Sequence, residues 1–121
     1  CYFFNANRVR WSAAEDACVA WGGHLVSVHS DEELGFVRDL VRAEEAATPA
    51  STGIWIGLNS LSTPGTWTWT DATDATYTHW AESEPDVAAE PKECVYQYGE
   101  QYVGHWDNFQ CSVEAESVCA R

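Results

Sequence analysis

The spacing of apolar residues along this chain of 121 residues divides it into a helical first part and a strand-rich second part. Tyr2-Phe3-Phe4 is a short apolar run and predicts a strand. Ala13, Ala14, Ala17, Cys18 and Trp21 then recur at helical spacing. Ser12-Ala-Ala-Glu15 in front of them reads as a capping box, and Gly22-Gly23 supplies the left-handed conformation that ends a helix. His24 to Val28 predicts a short strand. Ser30 and Glu33 form a second capping box, and Leu34, Val37, Leu40 and Val41 give the apolar stripe of a second helix ending near Glu45. Residues 46–53 are small and polar with one proline, the composition of a surface loop.

After the loop the period shortens. Ile54-Trp-Ile-Gly-Leu58 has no polar alternation and predicts a central strand buried on both faces. Thr66-Trp-Thr-Trp-Thr70 alternates with period two, which places its tryptophans on one face. Residues 71–92 keep no period and carry Asp, Glu, Ser, Thr and Pro; so long a loop inside a small domain marks a functional region. Cys94 to Tyr98, Gly104 to Trp106 and Ser117 to Cys119 resume as strands. Helices first and strands afterwards predict an α+β fold, and residues 1–121 are of a length for one domain with one core.

Charge and cysteines narrow the function classes. A formal net charge of −13 repels phosphate backbones, which argues against a nucleic-acid partner, and attracts cations. The five cysteines are spread out with no CxxC pair, so disulfides in an oxidising, extracellular setting are expected rather than a zinc or redox centre. The odd number leaves one over, with Cys1 the obvious candidate. No run is apolar enough to span a membrane and no charged-then-apolar leader opens the chain, so the sequence reads as a mature or excised domain. His24, His29, His79 and His105 are scattered outside any triad or metal-ligand spacing, and the chain is expected not to be an enzyme.

Taken in order, these segments closely resemble a C-type lectin-like domain across essentially the whole chain. The residues that carry the resemblance are Cys1-Tyr-Phe-Phe, the helix containing Cys18, Gly22-Gly23-His24-Leu25, Trp55-Ile56-Gly57-Leu58 and Trp67-Thr-Trp69-Thr-Asp71. They continue with Trp80 before Glu84-Pro85-Asp86, then Cys94, then Trp106-Asp107-Asn108-Phe-Gln-Cys111, and end at Cys119. The resemblance implies two helices packed on small antiparallel sheets with a long loop region, and disulfides Cys18–Cys119 and Cys94–Cys111. Loops of about 100 and about 17 residues closed in this way contribute about 3–5 kcal/mol each on the chain-entropy estimate. It also implies that the cysteine at the Cys1 position pairs upstream in longer members.

Sugar-binding members of the family hold a calcium ion between the long loop and the following strand, and two vicinal sugar hydroxyls complete its coordination. By resemblance Glu84 and Asp86, flanking a cis proline, and Asp107 and Asn108, on the strand leading to Cys111, would ligate calcium and hydrogen-bond the sugar. Three departures bear on this. Glu84-Pro85-Asp86 mixes the mannose-type Glu-Pro-Asn and galactose-type Gln-Pro-Asp triplets. Trp-Asn-Asp becomes Trp106-Asp107-Asn108. Lys92 stands where a further glutamate is usual, with Glu93 adjacent and Glu90 two residues upstream; a one-residue shift would bring Glu93 to the ion. Ser60 and Pro64 stand where acids of an auxiliary calcium site would be, so that site is expected to be absent. No glycine-rich, tryptophan-bearing loop follows Asp86, which favours mannose-, fucose- or glucose-like ligands over galactose. Trp80 and Trp106 are expected to pack in the core beside the loop. The expectation is thus a calcium-dependent carbohydrate-binding module; the alternative is a protein-interaction module with calcium structural or absent.

Overall fold

A computed structural model describes residues 1–45, 53–86, 91–99 and 104–121. The predicted surface loop at residues 46–53 lies outside the described residues except for Gly53, as does Glu90. Among the described residues the elements are β1 (Tyr2–Val9), α1 (Trp11–Trp21), β2 (His24–Leu25), α2 (Asp31–Glu45) and β3 (Gly53–Asn59). β4 (Thr68–Trp69), β5 (Cys94–Tyr98), β6 (Trp106–Phe109) and β7 (Ala115–Ala120) follow.

The unalternating run of β3 is buried at every position, as expected of a central strand, and β3 lies in the middle of the order β1-β7-β3-β5-β6. β7 runs parallel to it, while β1–β7, β3–β5 and β5–β6 are antiparallel. Val26, Val28, Leu34, Val37, Ile54, Ile56, Leu58, Trp69, Val95, Trp106 and Val118 form one core cluster under α2 and the sheet. Trp11, Ala14, Cys18, Leu25, Trp55, Tyr96 and Cys119 form a second around α1. Both expected disulfides are present, Cys18–Cys119 tying α1 to β7 and Cys94–Cys111 tying the start of β5 to the end of the β6 segment. Cys1 is free and exposed. No described helix is long and apolar enough to cross a membrane.

The first helix departs from its expected start. It opens at Trp11, with Arg10 at the cap position and no side-chain cap, so Ser12 and Glu15 do not form the capping box. Trp11 is only 5% exposed and donates its indole N–H to Ile56 O at 2.9 Å, so burial of this ring sets the first turn. Glu15 instead bonds His24 Nδ1 and accepts from Leu25 N, joining helix to strand. Gly22 ends the helix at φ 102°, where a side chain would be strained. The second box holds in part: Ser30 Oγ accepts from Glu33 N at 3.1 Å, and Glu33 accepts from His29 N.

Strand ends differ for a common reason. β1 extends to Val9 beyond its apolar run because an edge strand needs only β7 as partner and can leave polar residues in water. β2 stops at Leu25, although Val26 N still donates to Val118 O and Val26 O accepts from Gly57 N. β4 is only two residues long, yet the alternation of 66–70 holds in burial: Trp69 is buried and Trp67 half-buried against the same core, with Thr66 and Thr68 exposed. Each packs edge-on against another tryptophan, Trp69 on Trp106 and Trp67 on Trp80. The strand expected at 104–106 lies at 106–109, and the last strand is longer than 117–119 at both ends.

Candidate functional site

β6 positions the site through its alternation. Trp106 and Asn108 point inward and are buried, whereas Asp107 between them is half-exposed on the other face. The Trp106 indole is completely buried and donates to Gln97 Oε1, fixing β6 on β5. Asn108, 2% exposed, straps the long loop to the strand. Its Oδ1 accepts from Asp86 N at 3.0 Å, and its Nδ2 donates to Asp86 O and to Lys92 O, each at 3.0 Å. The Glu84–Pro85 peptide is cis, and Glu84 Oε2 accepts from Asp86 N at 2.9 Å.

These constraints bring ligand oxygens of Glu84, Asp86 and Asp107 within 4.8 Å of one another. Three carboxylates so close repel, and the electrostatics show it. Burial, with the neighbouring Asp107 and Asp86, pushes the Glu84 carboxyl up to about 7. Asp86 is held below the ordinary carboxylate range chiefly by Lys92, whose ammonium donates to Asp86 Oδ2 at 2.9 Å. The same contact raises Lys92. Asp86 Oδ1, by contrast, is buried without a hydrogen-bond partner. Tyr98 donates its hydroxyl to Asp107 Oδ2 at 3.1 Å and orients that carboxylate from β5.

Of the five residues expected to ligate calcium, Glu84, Asp86 and Asp107 are together. Asn108 stands directly beneath them with its amide committed to the backbone. Glu93 is not in the carboxylate group; it lines a neighbouring groove of about 500 Å³ with Ser60, Pro64, Gly65, Trp67, Pro85, Pro91, Asp86, Lys92 and Asn108. Two contributors escaped sequence reasoning. Tyr98 was visible only as a strand residue, since its reach to Asp107 depends on the β5–β6 pairing. The groove-lining role of Trp67 was hidden by the apparent alternation of its segment.

The donor set fits a hard divalent cation of calcium's kind. Three carboxylates offer oxygen ligands, one oxygen of Asp86 is buried and unpaired, and Glu84 is crowded by Asp107 and Asp86. Lys92 supplies a competing positive charge at the other Asp86 oxygen.

A two-helix, mixed-sheet domain closed by two disulfides, with an acidic cis-proline loop strapped to its neighbouring strand, defines the C-type lectin-like class of binding domain. A family model described as the lectin C-type domain matches residues 7–121, and the chain belongs to that family. It is 32% identical over 122 residues to a type-2 ice-structuring protein from Brachyopsis segaliensis, matching across 100% of this chain and spanning 66% of that relative's length. Among solved structures it resembles a calcium-independent type II antifreeze protein (TM-score 0.85, 30% identity, 100% of this chain and 85% of that one). It resembles equally the cow C-type carbohydrate-recognition domain of CD23 in the presence of a GlcNAc2Man3 oligosaccharide (TM-score 0.85, 34% identity, 100% of this chain and 86% of that one).

Proposed function

We propose that this domain is an extracellular, calcium-dependent carbohydrate-binding module and not an enzyme. The observation that carries the reading is the convergence of Glu84, Asp86 and Asp107 with Asp86 Oδ1 buried and unpaired. Glu84, Asp86 and Asp107 would hold the ion; Asn108, with its side-chain amide committed, would hold the loop and offer its backbone carbonyl. Glu93 would join only after turning from the groove. A calcium ion held there would supply open coordination positions for two vicinal sugar hydroxyls. The carboxylate oxygens of Glu84 and Asp86 would accept hydrogen bonds from those hydroxyls, and Tyr98 holds Asp107 in place. Glycans of the mannose, fucose or glucose type are favoured, because the 87–90 segment, Val-Ala-Ala-Glu, has no aromatic platform for galactose. The acidic surface disfavours a nucleic-acid partner.

Catalysis has little to support it. Thr73 and His29 are in contact at 2.9 Å, but Thr73 gives its one hydroxyl proton to Asp71, so it accepts from His29 and is not activated by it. Asp71 also accepts from Ser27, and the cluster ties the loop to the strand region.

A second reading is favoured by a specific contact. Lys92 on Asp86 gives the cradle a cation of its own, as a calcium-free protein-interaction module would need. Calorimetry separates the two readings. Calcium heat followed by sugar heat from a panel of mannose, fucose, glucose and galactose, both abolished in Asp107→Asn, is the expected outcome. Absence of calcium heat, with binding to a deglycosylated partner undiminished by chelator, would establish the second.

A further inference from the structure

We infer that Lys92 is the residue that sets the cation specificity of this site: its ammonium is a tethered occupant of the cradle, which a divalent ion must displace from Asp86. The inference rests on the calcium-binding reading above and deepens it.

Lys92 Nζ sits 2.9 Å from Asp86 Oδ2, while Asp86 Oδ1 is buried with no partner, so the ammonium satisfies one half of the carboxylate and leaves the other unsatisfied. The tether is short. Asn108 Nδ2 donates to the backbone oxygens of both Asp86 and Lys92, which fixes the lysine's backbone against the loop it neutralises. Intramolecular attachment gives the ammonium a high effective concentration at Asp86, so an incoming ion competes with a group that never diffuses away.

Charge decides which ion can win. The three carboxylates carry up to three negative charges against one ammonium, and Glu84 is left crowded. A monovalent cation brings no more charge than Lys92 and must give up its water to displace an ammonium already in place. A divalent cation brings twice the charge and reaches the unpaired Asp86 oxygen as well as Glu84 and Asp107. Lys92 thereby rejects monovalent ions and raises the calcium concentration at which the site fills. Once displaced, its side chain, about one-third exposed, has room at the adjoining groove that it already lines.

Lys92 is the single lysine of the chain, so it reports on itself. Protein labelled with 13C-lysine gives one side-chain Cε signal. This signal should move on titration with calcium and stay fixed when sodium is added at matched ionic strength. In parallel, Lys92→Gln keeps most of the length and removes the charge. By calorimetry it should bind calcium at least about tenfold more tightly than the unsubstituted domain, with an unchanged far-UV spectrum confirming the fold. Equal calcium affinity in the two proteins, or calcium heat with an unmoved lysine signal, overturns the inference and leaves the calcium site standing. No calcium heat in either protein overturns the site itself and the inference with it.

Discussion

Glu84 is the residue whose chemistry is most altered by its position. Half-buried beside Asp107 and Asp86, its carboxyl is pushed from the ordinary 4.5 to about 7. A carboxyl raised in the folded state holds its proton where the unfolded chain has released it, so its contribution stabilises the fold below the unfolded value. That contribution is lost as pH rises through the folded one. Without calcium, Glu84→Gln, which mimics the protonated acid, should therefore melt above the unsubstituted domain at about pH 8, with the difference closing toward about pH 5. A difference that is constant with pH, measured by thermal unfolding in chelator, would contradict the assigned crowding. The raised carboxyl was not legible in the sequence. The resemblance grouped Asp107 with Glu84 and Asp86, but the desolvation and closeness that raise Glu84 arise only in the folded chain.

At the scale of elements, β6 and the long loop act together because of Asn108. Its three hydrogen bonds to Asp86 and Lys92 are the strap, and it is buried. Asn108→Ala leaves the Asp86 amide to Glu84 alone and strips both carbonyls of this donor. Unpaired buried groups cost about 1–3 kcal/mol each, so a loss of about 2–3 kcal/mol in denaturant stability is expected, with weakened calcium binding. An unchanged denaturation midpoint would show that the loop holds itself. The elements differ in how readably the sequence encodes them. β3 was plain because a run buried on both faces has nothing polar to alternate with. The start of α1 was misread because the capping signal at Ser12 lost to the burial of Trp11, a tertiary effect invisible in local spacing. The alternation at 66–70 likewise exceeded the two residues that pair as β4.

For the molecule as a whole, two disulfides close a small core beside the acidic loop. Cys18–Cys119 spans 101 residues and Cys94–Cys111 spans 17. Replacing Cys94 and Cys111 together by alanine should cost about 3 kcal/mol by chain entropy, read as a lowered denaturant midpoint, and should loosen the β5–β6 pair that orients Tyr98 and Asp107. A midpoint unaffected by the replacement would mean that strand pairing alone fixes this corner. The two helices and the position of the acidic loop could be read from residue order, and the resemblance to the family implied the cross-links. The occupancy of the cradle could not be read in this way, because Lys92 and Asp86 are six residues apart and nothing in local spacing brings the ammonium to that carboxylate.

The most direct test is a crystal structure grown with calcium and a mannose-type saccharide. The account predicts an ion among Glu84, Asp86 and Asp107, two sugar hydroxyls on that ion, and Lys92 withdrawn from Asp86. A structure at saturating calcium with the ammonium still on Asp86 and no ion in the cradle would contradict it.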